Sequence, residues 1–310
     1  MKTPTPKKLA QLLLTISFWI IYGSVAVAQS PTSKTYTIPF KLTSQNNIAI
    51  SALINGQDTV SLMFHTAANS LTLTSEAIAK MKSLRFEGAD TVKSWGGGEN
   101  SSRYSKDNLL QIGKNKWEHT PLWENLNSGP GTGGKFGPEL FAGQVIDIDF
   151  DRKIITISNN LPAKLKSYSK LEAKYEDDML FINASCKIGT ELLSLPFLIH
   201  SGYAGALLFD DSFTNNNQLD QKLKIISEKD LKDSFGNILT VKKAVLPSLL
   251  LSENRLDSVP AGFFKGAIGR QKMSIIGGEL LKRFNIVISA DRKVVYLKPN
   301  GLFKLPYPAG

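Results

Sequence analysis

SLMFHTAANSLTL (61–73) and LPFLIHSGYAGALLF (195–209) are the same pattern written twice. With His65 set on His200, Phe64 meets Ile199, Thr66 meets Ser201 and Leu73 meets Leu208. Each copy runs from an apolar stretch that reads as a buried strand, through a polar knuckle, into a second apolar stretch. The chain has three histidines, and two of them sit at these matched places. The duplication predicts two lobes with one composite site at their seam.

A second repeat lies downstream of each knuckle. Residues 136–157 (FGPELFAGQVIDIDFDRKIITI) align without a gap on 276–297 (IGGELLKRFNIVISADRKVVYL). The identities are Gly137/Gly277, Glu139/Glu279, Leu140/Leu280, Ile146/Ile286, Ile148/Ile288, Asp151/Asp291, Arg152/Arg292 and Lys153/Lys293. The Asp-Arg-Lys element between apolar runs reads as a hairpin turn. Asn55-Gly56 is the usual dipeptide of a tight hairpin, and Thr74 or Ser75 would cap a short helix over 76–81. Trp95-Gly96-Gly97-Gly98-Glu99 has neither the helix nor the Lys-Ser/Thr pair of a phosphate cradle and reads as a hairpin tip. Two long copies, rather than three or more short ones, exclude a solenoid.

Lys2, Lys7 and Lys8, an apolar core from Leu9 to Tyr22 and Ala26-Val27-Ala28 have the form of a secretory signal peptide. The reading divides the chain into a signal peptide (1–28), a first lobe (29–158), a polar, lysine-rich crossover (159–174) and a second lobe (175–310). A soluble, periplasmic or secreted monomer with no stable membrane insertion is expected. The formal charge of +10 is dispersed among acids, with no basic stripe interleaved with aromatics, which argues against a nucleic-acid partner. Cys186 is the single cysteine, so no intramolecular disulfide can form; its apolar run predicts a buried thiol.

These elements together resemble the pepsin-like and retropepsin-like aspartic proteases, above all their bacterial exported, two-lobed members. In that family each lobe carries an apolar strand, Asp-Thr/Ser-Gly, a second apolar strand and a later apolar-apolar-Gly segment. Phe64-His65-Thr66-Ala67-Ala68 and Ile199-His200-Ser201-Gly202-Tyr203 match the first feature; Phe136-Gly137 and Ile276-Gly277 match the second. The resemblance implies a mostly-β fold of two similar lobes around a central cleft. It places the substrate-covering flap at Trp95, Gly96, Gly97, Gly98 and Glu99. It also implies that Thr66 and Ser201, with Gly137 and Gly277, brace the two loops.

Both acid positions of the resembled family hold histidine here. Its chemistry needs two carboxylates sharing one proton, and His65 and His200 cannot supply that. The resemblance therefore implies a pseudoenzyme that keeps a cleft for a peptide or other linear ligand and needs no cofactor. The alternative is a hydrolase working through His65 and His200, with or without a divalent metal on the pair. The two rings should approach within roughly 3–6 Å, directly or through a water, and at least one should be neutral at pH 7. Ala67 stands where the family has glycine; if that backbone needs positive φ, alanine costs about 1 kcal/mol. Glu139 and Glu279 are expected to accept backbone N–H bonds at a helix start, and His119 to lie on the surface.

Overall fold

The computed structural model describes residues 35–93, 99–126, 128–129, 131–232, 238–265 and 271–308. The signal-peptide reading of 1–28 and the tip residues Trp95 to Gly98 lie outside them. Among the described residues the longest helix is Asp211–Asn216, and everything else of any length is strand. No described helix is long and apolar enough to cross a membrane. The strands form one 13-stranded and one 10-stranded sheet.

The apolar runs around each histidine are strands because they are rich in leucine, isoleucine and phenylalanine and bounded by polar knuckles. Asp58–Phe64 follows Ile48–Ile54 through a hairpin. Asn55 and Gly56 both take positive φ there, 52° and 70°, as a tight turn between twisted strands requires. Gly134–Phe136 then inserts between Asp58–Phe64, to which it is parallel, and Leu71–Thr74, to which it is antiparallel. The second half repeats the arrangement. Ser274–Gly277 lies parallel to Glu191–His200 and antiparallel to Leu207–Leu208. In both halves a short, buried strand holds the two arms of the histidine loop side by side.

Six strands join the halves, in the order Tyr36–Pro39, Ile154–Ser158, Val145–Asp149, Phe284–Ile288, Val294–Pro299 and Ser169–Glu176. At their centre Ile146 pairs with Ile288, Asp147 with Val287 and Ile148 with Ile286. Residues one repeat apart thus exchange partners about a local twofold axis. The outer pairs obey the same axis, since Tyr36–Pro39 flanks the first closing hairpin as Ser169–Glu176 flanks the second.

The stretch 159–174, expected as a polar crossover, contributes to this frame. Its last part, from Ser169, is a sheet strand and the counterpart of the first strand of the chain. Ser169 and Leu171 are buried while Lys170 and Glu172 are exposed, the period-two pattern of a half-covered strand. Lys170 and Lys174 lie exposed on its outer face.

The two Asp-Arg-Lys elements are both hairpin turns, with Lys153 and Arg292 at positive φ. Their arginines have parted ways. Arg152 is exposed, whereas Arg292 is buried and donates to the carbonyls of Gln144 (2.7 Å), Phe141 (2.9 Å), Ser289 (3.0 Å) and Pro138 (3.3 Å). One arginine of the pair therefore ties the second closing hairpin to the turn behind the first histidine loop.

Candidate functional site

The histidine loops meet through a reciprocal set of side-chain bonds. Thr66 Oγ1 donates to Ile199 O (2.6 Å) and accepts from Ser201 N (3.0 Å). Ser201 Oγ donates to Phe64 O (2.7 Å) and accepts from Thr66 N (3.0 Å). Both residues are almost fully buried, so each hydroxyl is worth more than its surface counterpart would be. Thr66→Val would strand Ile199 O and Ser201 N without partners. The expected cost is about 2–3 kcal/mol, read from the urea midpoint, while a loss under about 0.5 kcal/mol would show that the brace contributes little.

Gly137 and Gly277 close behind the loops. A Cβ at Gly137 would overlap the Ala68 carbonyl, and one at Gly277 would overlap the Gly205 carbonyl. The glycines are there because loop backbone packs directly onto them, the close approach that only a missing side chain permits.

This frame brings His65 and His200 together, with ring centroids 4.5 Å apart and planes at 68°. His65 Nδ1 accepts the Ala67 N–H at 3.1 Å, which puts the proton of the neutral ring on Nε2. His200 Nδ1 is buried and has no hydrogen-bond partner among the described residues. Burial, then the neighbouring His200 and Lys135, hold the His65 pKa well below the usual imidazole range. Burial, with a smaller push from Lys135, brings His200 down to about 4. Both rings are therefore uncharged at pH 7.

Ala67 carries no backbone strain, because its φ is not positive. The expectation of a penalty there is corrected. The glycine of the second loop answers to a steric demand instead: a Cβ on Gly202 would overlap the edge of the His65 ring. Gly202 leaves the room that the first imidazole occupies.

Lys135 belongs to the site and was not singled out from the sequence. It lies on Gly134–Phe136, opposite Met63 on one side and Thr72 on the other, so the three side chains share a face. Met63 is two residues before His65 on the same strand. Lys135 is half-buried, and burial lowers its pKa. It forms no hydrogen bond or ion pair among the described residues. A charged residue in an otherwise apolar and glycine-rich segment, opposite Ile275 in the internal alignment, was the signal available.

The remaining expectations divide. The arms of the tip hairpin are Gly88–Lys93 and Glu99–Ser105, so Glu99 opens the returning strand. His119 is exposed, with Nδ1 3.0 Å from an Asp107 carboxylate oxygen, and does not join the pair. Cys186 is fully buried and unpaired, and burial pushes its thiol up to about 12, which makes it a poor nucleophile. Among the described residues no three of His, Cys, Asp and Glu gather as a metal site. Two imidazoles alone fall short of the three or four protein ligands usual for zinc.

Glu139 and Glu279 do not share a task. Glu139 Oε1 accepts the Gly137 N–H at 3.3 Å, while its Oε2 is buried without a partner and its pKa is raised by burial. Glu279 is instead paired with Lys282 (2.6 Å) and Arg283 (2.9 Å) and accepts from Asn46 (3.1 Å). The repeat explains the difference, because Ala142 and Gly143 stand where Lys282 and Arg283 do. Glu279 as a helix-start acceptor is thus corrected.

No family model and no curated protein matches the chain. Among solved structures, the aspartic proteinase from Irpex lacteus superimposes with a TM-score of 0.56 over 89% of this chain and 100% of that one, at 12% identity. The chain has a pepsin-like fold. At that identity the likeness reaches the architecture of two large sheets and no further; at the braced loops of this aspartic-proteinase fold stand two imidazoles.

Proposed function

We propose that this chain is an exported, aspartic-protease-like binding protein. It holds a peptide or other linear ligand in a cleft between two lobes and does not cut it by the acid-dyad route. Support comes above all from one observation: two imidazoles, His65 buried and His200 half-buried, with ring centroids 4.5 Å apart on mutually braced loops, where burial favours the uncharged form. A dyad that shares a proton between carboxylates supplies negative charge to activate water, and an uncharged imidazole pair does not. An extended ligand can still be held by main-chain hydrogen bonds after the acids are lost. In this reading Ala26-Val27-Ala28 ends the leader, the first lobe closes near residue 158, and the second opens at Ser169 rather than at 175. The working unit is a monomer.

A peptide library incubated with the protein across pH 3–7 and read by mass spectrometry tests this reading. No cleavage is expected. Reproducible cleavage that disappears in H65A and in H200A would overturn it. The same result would favour the second reading, hydrolysis with one imidazole as general base. Two observations give that reading its footing: the unpartnered Nδ1 of His200, and a cation at Lys135 that could face developing negative charge.

A further inference from the structure

The floor of the site is asymmetric. On the second-lobe side, Ile275 lies opposite Leu198 and Leu208, and these three buried residues form an apolar cluster with Ala67, Tyr203 and Phe264 against it. The equivalent face of the first lobe is Met63, Thr72 and Lys135. The strand register corrects the alignment of Leu73 with Leu208 by one residue, so that Thr72 stands where Leu208 does: the central isoleucine has become a lysine and one flanking leucine a threonine.

The polar side is left unsatisfied. Thr72 Oγ1 is buried without a hydrogen-bond partner, as is His200 Nδ1. Lys135, close enough to act electrostatically on both imidazoles, has no counter-ion among the described residues. A half-buried ammonium that shares its face of the sheet with the unpartnered Thr72 hydroxyl, with no carboxylate at the histidine pair, is arranged for an incoming anion. The apolar cluster across the seam suits the hydrocarbon that such an anion carries.

We propose that the site takes a carboxylate attached to an apolar group, namely the free C-terminus of a peptide ending in a hydrophobic residue. The carboxylate pairs with Lys135, and the terminal side chain lies against the partly buried Ala67, Tyr203 and Phe264, which cover Leu198, Leu208 and Ile275. This deepens the binding reading above and rests on it, and it distinguishes end-capture of a peptide from capture along its length.

The test uses the mature protein and acetyl-Leu-Val-Phe as the free acid and as the carboxamide, with hexanoate as a non-peptide carboxylate, all measured by calorimetry at pH 7. The acid is expected to bind about tenfold or more tighter than the amide, the scale of one charge-assisted contact. That ratio should fall to near one in Lys135→Met and persist in Lys135→Arg, with thermal unfolding of both variants reported alongside. Equal binding of acid and amide to the unaltered protein would overturn the proposal, as would a ratio unmoved by Lys135→Met, or no binding of any of the three probes. Hexanoate binding that depends on Lys135, with no binding of either peptide, would retain the anion contact and refute the peptide. Cleavage of the peptides would refute the binding-only function while leaving the acid-to-amide ratio to judge Lys135.

Discussion

Acidification from pH 7 to pH 4 should strip this protein of several kcal/mol of stability, and the histidine pair should account for much of it. In the unfolded chain an imidazole titrates near its ordinary 6.5, whereas His200 in the folded protein holds out to about 4. Between those values the unfolded state binds a proton that the native state refuses, so stability rises with pH across that window and falls as pH drops through it. His200 alone contributes about 3 kcal/mol over that span. His65, lowered further by burial and by its neighbours His200 and Lys135, acts in the same direction. Below about pH 4 the His200 contribution is exhausted, because both states are then protonated. Urea midpoints measured at intervals from pH 7 to 4, for the protein and for His65→Gln/His200→Gln, isolate the effect from that of the carboxylates. The double variant should give a visibly flatter profile. A slope equal to that of the unaltered protein would show that the rings are not held neutral by the fold.

Arg283→Met should be the most damaging single change outside the apolar core, at about 3–5 kcal/mol. Arg283 is 1% exposed and its guanidinium holds the Glu279 carboxylate at 2.9 Å. It also donates to the carbonyls of Leu305 (2.5 Å), Leu302 (3.2 Å) and Phe303 (3.3 Å) and lies 3.8 Å from the Tyr307 ring centroid. Methionine would fill part of the volume while leaving a buried carboxylate with Lys282 as its remaining cation and several carbonyls with no donor. The damage should reach the histidine loops, since Glu279 also holds Asn46, Asn46 donates to Ala204 O (2.9 Å), and Asn47 donates to Ser201 O (3.2 Å). Denaturant unfolding gives the magnitude, and hydrogen exchange over 302–307 should show the C-terminal segment released first. A loss below about 1 kcal/mol would mean that Lys282 suffices to compensate Glu279. Pairing the change with Glu279→Gln should recover part of the loss, because the buried charge is then gone.

The histidine pair was legible because its signal is a pattern repeated at a distance: apolar strand, polar knuckle, apolar strand, then glycine. Two copies fix which residues correspond, and a fold that superimposes the copies brings His65 to His200. The repeat showed that Thr66 and Ser201 are matched hydroxyls on matched loops, and their bracing role was implied by the resemblance to the aspartic proteases. Lys135 was not legible, because its placement depends on strand register. One lysine on a three-residue strand has no periodicity to betray which face it occupies. The strand Ser169–Glu176 was hidden by Lys170, Glu172 and Lys174, whose charges read as part of a polar crossover until alternation with the residues between them is seen as the two faces of one strand. Glu139 and Glu279 show the limit of repetition itself. Identical residues at identical repeat positions took different partners because the residues three and four places further on had changed.

The exchange of partners between Ile146 and Ile288, and between Ile148 and Ile286, makes the join between the halves isologous in the sense used for symmetric dimers. Each half presents to the other the patch that it receives. A contact of that kind carries its own geometry, and the covalent connection through residues 159–168 raises the effective concentration of one half for the other without dictating how they meet. Tolerance of change should therefore be uneven: apart from Lys164, which pairs with the buried Asp147, the connection can vary in length and composition at little thermodynamic cost, while a single residue added within either central strand would slip the register and exchange the residues packed on its two buried faces.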